Sequence, residues 1–294
     1  MEYELTNKKT ILVVGIVKDI YKSIEKDIAN IEKALKIFKT VNWFLVESDS
    51  KDQSIKKLEE IANKRSNFQF VSLGSLQKSN ESRTIGMSLA RNRYLSEIRL
   101  NENFSQVDLV AIADFNGLND ELNEQGIYSC FMRSDWDACF ANQTGRYYDI
   151  WALRHPLWSP NDSWQQLNFY REFVKFPERA LRISLGSRMI HIPKKNNWIE
   201  VDSAFGGFGL YKRDALNEGE YSGITSNGTP ICEHVPFHAE LRKNGKRLFV
   251  NPALINTKST DHSKRFKLKG TMYRLLKYPF KIIRKWFKKF LKKK

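Results

Sequence analysis

A chain of 294 residues with 41% hydrophobic content, seven Trp and nineteen Phe can bury a real core, which excludes a disordered chain and fits one large α/β domain or two smaller ones. The formal charge of +16 points first to nucleic acid, yet residues 264–294 hold fourteen Lys or Arg and no Asp or Glu, leaving +2 and no second basic patch before them. Cys130, Cys139 and Cys232 make no CxxC pair or zinc spacing, and the polar start "EYELTNKKT" lacks a signal peptide's apolar core, so a reduced, cytosolic protein is the expectation.

In chain order, "TILVVGIV" (Thr10 to Val17) reads as a buried strand. Ile24, Ile28, Ile31, Leu35 and Phe38 follow at alternating steps of four and three, which predicts a helix with one apolar face. "VNWFLVE" and "FQFVSL" continue as strands, with a short helix around Ile55, Leu58 and Ile61 between them. Leu89, Leu95 and Ile98 give "RTIGMSLARNRYLSEI" a helical face before the strand "VDLVAIAD". This β-α-β-α order predicts a mostly parallel sheet with helices on both faces, which binds ligands at the carboxyl ends of its strands. No internal repeat, P-loop or G-x-G-x-x-G fingerprint is present.

The stretch "VAIADFNG" places Asp114 at the carboxyl end of a central strand, with Gly117 to turn the chain. A carboxylate and the amide oxygen of Asn116 two residues on are hard ligands that suit Mg²⁺ or Mn²⁺. For a lone D-x-N the competing explanation is an Asx turn, in which the carboxylate only caps the next segment.

Two other stretches accompany it: "VESDSKDQS", with Glu47, Asp49 and Asp52, and "RTIGMSLARNRYL", with Arg83, Arg91 and Asn92. Together with "ADFNG" they resemble the GT-A class of nucleotide-sugar glycosyltransferases. "WDACFANQTGRYYDIWALRHP", "DSAFGGFGLYKRDAL", "CEHVPFHAELRKNGKRLFVNPALIN" and "DHS" extend the likeness over residues 10–263. The combination is similar to bacterial surface-polysaccharide glycosyltransferases and, more distantly, to cryptococcal capsule-associated mannosyltransferases.

The resemblance implies roles. Glu47 and Asp49 would lie near the nucleoside, and the helix bearing Arg83, Arg91 and Asn92 against the nucleotide. Asp114, Asn116 and His262 would hold Mn²⁺ or Mg²⁺ with the diphosphate. Asn116 stands where the class usually has a second Asp, and an amide is the weaker ligand. Glu233 would be the carboxylate base for the acceptor hydroxyl, although the usual Glu-Asp pair is here Glu233-His234. Gly206 and Gly207 would let the backbone approach the donor sugar, while a tight turn explains two adjacent glycines equally well. Each charged residue has a plainer alternative: a surface His at His262, helix salt bridges at Arg83 and Arg91, and a helix-dipole acid at Glu233. Trp136, Tyr147, Tyr148, Trp151 and Trp158 could form an acceptor platform, but aromatics at this density favour the core.

The segment "YRLLKYPFKIIRKWFKKFLKKK" sets Leu276, Phe280, Ile283 and Phe287 at helical steps among lysines and arginines. That is the composition of an in-plane anchor on anionic lipid, too short and too charged to span a bilayer. The alternative is a solvated helix packed on its own domain. The expectation is therefore an α/β, GT-A-like domain over residues 1–263 with a basic amphipathic tail over 264–294. It would move a sugar from a nucleotide-sugar donor to a lipid-linked or cell-surface glycan at the inner face of the membrane, with nucleic acid disfavoured as a partner. A noncatalytic module docking on membrane or nucleic acid through the tail is the rival reading.

Overall fold

The computed structural model describes residues 6–76 and 82–260. His262 and the tail over 264–294 lie outside the described residues.

The first strand, β1, spans Thr10–Val17. Ile11, Leu12, Val13 and Val14 are all fully buried, as a strand covered on both faces requires. Helix α1 (Ile24–Leu35) buries Ile24, Ile28, Ile31 and Leu35, and Phe38 is buried just past its end. Strand β2 (Thr40–Glu47), helix α2 (Ser54–Lys64) and strand β3 (Phe68–Ser72) complete the first half of the alternation. Helix α3 (Arg83–Leu100) then leads to β4 (Leu109–Ala113), a strand with no exposed residue.

The expected apolar face of α3 is corrected in one respect: Leu89 is 45% exposed. The buried stripe runs through Thr84, Ser88, Arg91, Leu95 and Ile98. Its apolar half packs on the sheet, while its polar half, nearer the helix N-terminus, faces the carboxyl ends of the strands. A stripe half made of Thr, Ser and Arg carries little hydrophobic periodicity, so the nearest apolar residue, Leu89, stood in for it.

The remaining strands are β5 (Ala138–Gln143), β6 (Ile199–Glu200), β7 (Phe208–Lys212) and β8 (Leu248–Thr257). All eight form one sheet in the order β3-β2-β1-β4-β7-β5-β8-β6. Strands β1 to β4 are mutually parallel and β5 is parallel to β8, whereas β7 runs antiparallel to β4 and β5 and β6 runs antiparallel to β8. The sheet is thus mixed and mostly parallel.

Alternate side chains of β1 point to opposite faces and nucleate two core layers. Ile11 and Val13 pack with Ile28 of α1, Leu58 of α2 and Ile127 of α4 (Glu124–Ser129). Leu12 and Val14 pack with Tyr94 and Leu95 of α3, Leu167 of α5 (Ser163–Phe173) and Phe237 of α7 (His234–Lys243). A short helix α6 (Pro177–Leu181) precedes α7 in the chain. Helices therefore cover both faces.

Candidate active site

Strand β4 delivers Asp114 to its carboxyl end, where the Asp114 N–H donates to the Gly207 carbonyl at 2.9 Å and the Asn119 side chain donates to the Asp114 carbonyl at 2.6 Å. The loop beyond it is held from α1. The two oxygens of buried Asp27 accept the backbone N–H groups of Asn116 and Gly117, each at 2.9 Å. Asn116 and Gly117 both adopt left-handed backbone, at φ 73° and 77°, so a glycine and an Asn suit this turn. The Asn116 side-chain oxygen accepts from Ser23 Oγ at 3.2 Å.

The Asp114 carboxylate is turned toward Arg91. Arg91 is 2% exposed and makes three directed contacts: Nε to Glu233 Oε1 at 2.8 Å, Nη1 to the Tyr94 hydroxyl at 3.1 Å, and Nη2 to Asp114 Oδ1 at 3.5 Å. Its guanidinium also lies 5.2 Å from the Phe205 ring centroid and 5.7 Å from that of Tyr221. Burial works against its charge, but Tyr94, Glu233 and Asp114 together more than offset that and hold it protonated. Asp114 is 31% exposed on its side chain; burial raises its carboxyl above the usual range, Arg91 opposes the rise and Glu233 adds to it.

A third carboxylate, Asp149, joins these two. Partly buried, it accepts the Gly206 N–H on Oδ2 at 2.9 Å. Burial, then the charges of Asp114 and Glu233, raise its carboxyl to about 6, against the Gly206 and Ala152 amides that pull it down. Two acids thus bond one buried guanidinium and a third stands near enough to feel their charges, so acids outnumber the buried cation here. Sequence reasoning passed Asp149 over because "RYYDIW" has no motif spacing, and its neighbours come from three distant segments.

The glycine turn lies between Asp114 and Asp149. Gly206 and Gly207 have φ of 72° and 87°. A Cβ at Gly206 would stand 2.7 Å from the Ala141 carbonyl, and one at Gly207 2.8 Å from the Tyr148 hydroxyl, so backbone geometry and close protein packing already require both glycines.

The other residues singled out by the sequence fall at differing distances from this centre. Arg83, exposed at the first turn of α3, is near enough to Asp114 to lower its carboxyl. Asn92 clamps the backbone of Tyr221, donating to its carbonyl at 3.0 Å and accepting its N–H at 2.8 Å. Glu47 is fully buried, accepting the Ser50 N–H at 2.9 Å and the Ser72 hydroxyl. Asp49 has left-handed backbone, φ 60°, and donates its N–H to Gly74 at 2.8 Å. Glu233 is the N-cap residue of α7 and 3% exposed. His234 is 2% exposed, stacked 4.1 Å from the Phe205 ring; burial, then Arg91 and His238, push its imidazole far down, so it is neutral. Of the aromatic set, Trp136 and Tyr147 are core residues.

The resemblance implies a divalent cation. Among the described residues no three His, Cys, Asp or Glu side chains are grouped as metal ligands. The donor chemistry nevertheless suits Mg²⁺ or Mn²⁺, which are commonly held by one or two carboxylates plus substrate phosphates and water. Asp114 is such a carboxylate, with Asn116 beside it, in a recess whose acids outnumber its buried cation.

No protein-family model matches the chain, and no curated protein matches it. Among solved structures, the mannosyltransferase PcManGT from Pyrobaculum calidifontis, in complex with GDP-Man and Mn²⁺, is similar at 13% identity and a TM-score of 0.46, over 85% of this chain and 57% of that one. S. aureus TarS residues 1–349, in complex with UDP-GlcNAc, is similar at 14% identity and a TM-score of 0.49, over 87% of this chain and 60% of that one. The chain therefore spans less than two thirds of either of those chains, and at these scores neither likeness carries an argument about activity.

Proposed function

We propose that the chain is a glycosyltransferase that moves a sugar, a hexose in the first instance, from a nucleotide-sugar donor to a lipid-linked or cell-surface glycan. The observation that supports this most is the pairing of Asp114 and Glu233 with buried Arg91, with Asp149 close enough to feel both acids, beside the carboxyl end of β4, where an open α/β sheet binds its ligands.

Departure of the nucleotide places negative charge on the diphosphate. A divalent cation bound at Asp114 and Asn116, with His262, would supply Lewis-acid stabilisation of that charge. The chain's own residues supply the rest. Arg83 and the positive end of α3 face the same anion, worth most in a closed, dry site. Arg91 fixes the direction of the Asp114 carboxylate.

The acceptor hydroxyl must lose a proton as it attacks. Glu233 is almost sealed and bonded to Arg91, so in this reading it positions the guanidinium. Asp149 is the more accessible carboxylate, and at about 6 its carboxyl is close to the pH at which a general base works best. Gly206 holds Oδ2 at 2.9 Å, while Oδ1 takes only a long bond from the Ala152 N–H, at 3.5 Å, and is the oxygen this reading gives to the acceptor.

We further assign residues 264–294 to an anionic membrane surface, which would bring the enzyme to a lipid-linked acceptor. No helix among the described residues is long and apolar enough to cross a membrane. Calorimetric titration of UDP, GDP and CMP, each with Mn²⁺ and again with EDTA, tests the donor reading. One nucleotide binding tightly supports it; binding of none would remove it.

A further inference from the structure

Between the loop that carries Asp149 and strand β6 lies a layer made of α5, α6 and a π-helical turn over Arg182–Gly186. It is fixed to the body from below. Leu167 and Ala180 are fully buried, Leu185 nearly so, and Tyr170 packs against the same core layer. The N-cap Asp162 accepts the Trp164 and Gln165 N–H groups on one oxygen, at 2.9 and 3.0 Å. Its other oxygen accepts Trp151 Nε1 at 3.1 Å and Arg154 Nη2 at 2.8 Å, both from the Asp149 loop.

The outer side of this layer is apolar where it should not be. Trp164, Phe169, Phe173, Phe176 and Ile183 are exposed by 40, 59, 70, 50 and 39%. Phe169 and Phe173 touch each other, with ring centroids 4.9 Å apart, so these two solvent-facing rings form one continuous apolar surface, and Phe176 and Ile183 add exposed apolar area within the next ten residues of the same layer. Interleaved with them are Arg171, Lys175, Arg179 and Arg182, all exposed, against Glu172 and Glu178. No ion pair among the described residues involves any of those four cations. The net +2 of residues 163–187 equals the whole excess charge of residues 1–263, so the rest of that body is balanced, and the expectation of no second basic patch is corrected: four cations spread over twelve residues make no run in sequence but share one exposed layer.

We infer that this aromatic and basic layer is a second membrane-docking surface, which lies on an anionic bilayer with its phenylalanines in the headgroup boundary. Exposed aromatics among unpaired cations are the composition that in-plane elements use, the rings gaining apolar burial and the cations meeting anionic headgroups. Charge decides against the other occupants. The tail over 264–294, whose charged side chains are all Lys or Arg, would meet like charge here, and a second copy of the chain would set four unpaired cations against four more. An anionic surface suits both the layer and the tail. Docking would place the Asp149 loop, tied to the layer through Asp162, beside the headgroups where a lipid-linked acceptor is presented. The docking rests on the layer's chemistry alone; only this last consequence rests on the proposed activity.

The test is partition of the full chain onto vesicles of phosphatidylcholine alone and of phosphatidylcholine with one third phosphatidylglycerol. The full chain is expected to bind the anionic vesicles. Phe169→Ser, Phe173→Ser and Phe176→Ser combined, in the full chain with its tail, should weaken that binding by about tenfold or more. Leu100→Ser, at a residue 78% exposed elsewhere, should leave it unchanged. Because the three rings are largely solvent-exposed, the triple variant should keep the wild-type circular dichroism and melting temperature. Wild-type affinity in the folded triple variant, equal binding to both vesicle types, or a solution dimer that the triple variant dissolves would each overturn the docking. No donor or acceptor enters this assay, so a failure of the transferase reading would leave its result standing.

Discussion

Arg91 Nε stands 2.8 Å from Glu233 Oε1 with both side chains at 3% exposure or less. The two residues come from α3 and the start of α7, far apart in sequence, and their pairing locks the polar end of α3 to the N-terminus of α7. A buried pair of this kind gains little over a well-packed apolar pair, but breaking it from one side is costly. Arg91→Met should therefore destabilise the protein by about 3–5 kcal/mol, and Arg91→Met with Glu233→Gln by less than the sum of the two single changes, by roughly 1–3 kcal/mol. Urea unfolding of the four proteins measures the cycle, and strict additivity would mean that the pair is not energetically coupled.

Asp149 carries a pH dependence with a definite sign. Its carboxyl rises from 3.8 to about 6 on folding, so the folded state binds the proton more tightly. The associated stability is present below pH 4 and lost as the pH rises through 6. Asp149→Asn keeps an acceptor for the Gly206 N–H and removes the titration. At pH 7.5 it should be more stable than the wild type by roughly 1–2 kcal/mol, with the difference vanishing near pH 4. The same variant should lose the limb of the rate profile near pH 6. Melts across pH 4 to 8 decide the first point, and kcat against pH the second.

Gly207 is a close approach with φ 87°, and a Cβ there would meet the Tyr148 hydroxyl at 2.8 Å. Gly207→Ala should cost roughly 1–3 kcal/mol through backbone strain and displacement of Tyr148, the residue next to Asp149. Thermal melts report the loss. A melting temperature equal to the wild type's would show that the turn relaxes freely.

How much of this was legible in the sequence follows from which forces leave a local pattern. Strands β1 and β4 are buried on both faces and read as unbroken apolar runs, and α1 shows its stripe because Ile24, Ile28, Ile31 and Leu35 are all apolar. Asp114 was legible because a carboxylate ending such a run is conspicuous. The antiparallel insertion of β7 between β4 and β5 was not, since strand direction is set by pairing and not by composition. The site's finer parts were hidden for the same reason. Asp27 lies in the first turn of α1 with no local pattern to mark it, yet it binds the Asn116 and Gly117 backbone, and Asp149 acquires its character only from Gly206, Asp114 and Glu233.

Asp114 permits a prediction that separates chemistry from stability. Its carboxyl is raised on folding, chiefly by burial, so the charged form is held against a cost and removing it should not unfold the protein. Asp114→Ala should keep the wild-type melting temperature to within about 1 kcal/mol of stability at neutral pH, because the lost contact to Arg91 is long, at 3.5 Å, and Glu233 still neutralises the guanidinium. Donor turnover should fall by about a hundredfold or more, the scale on which one group stabilising a developing anion is felt. Asp114→Asn, which keeps the shape and loses the charge, should fall nearly as far if charge is what the site requires. Turnover of the matched nucleotide-sugar, measured beside melting for both variants, distinguishes the cases. Full activity in Asp114→Ala would remove this residue from the machinery, whereas a folded, inactive Asp114→Asn would show that its charge acts in the reaction.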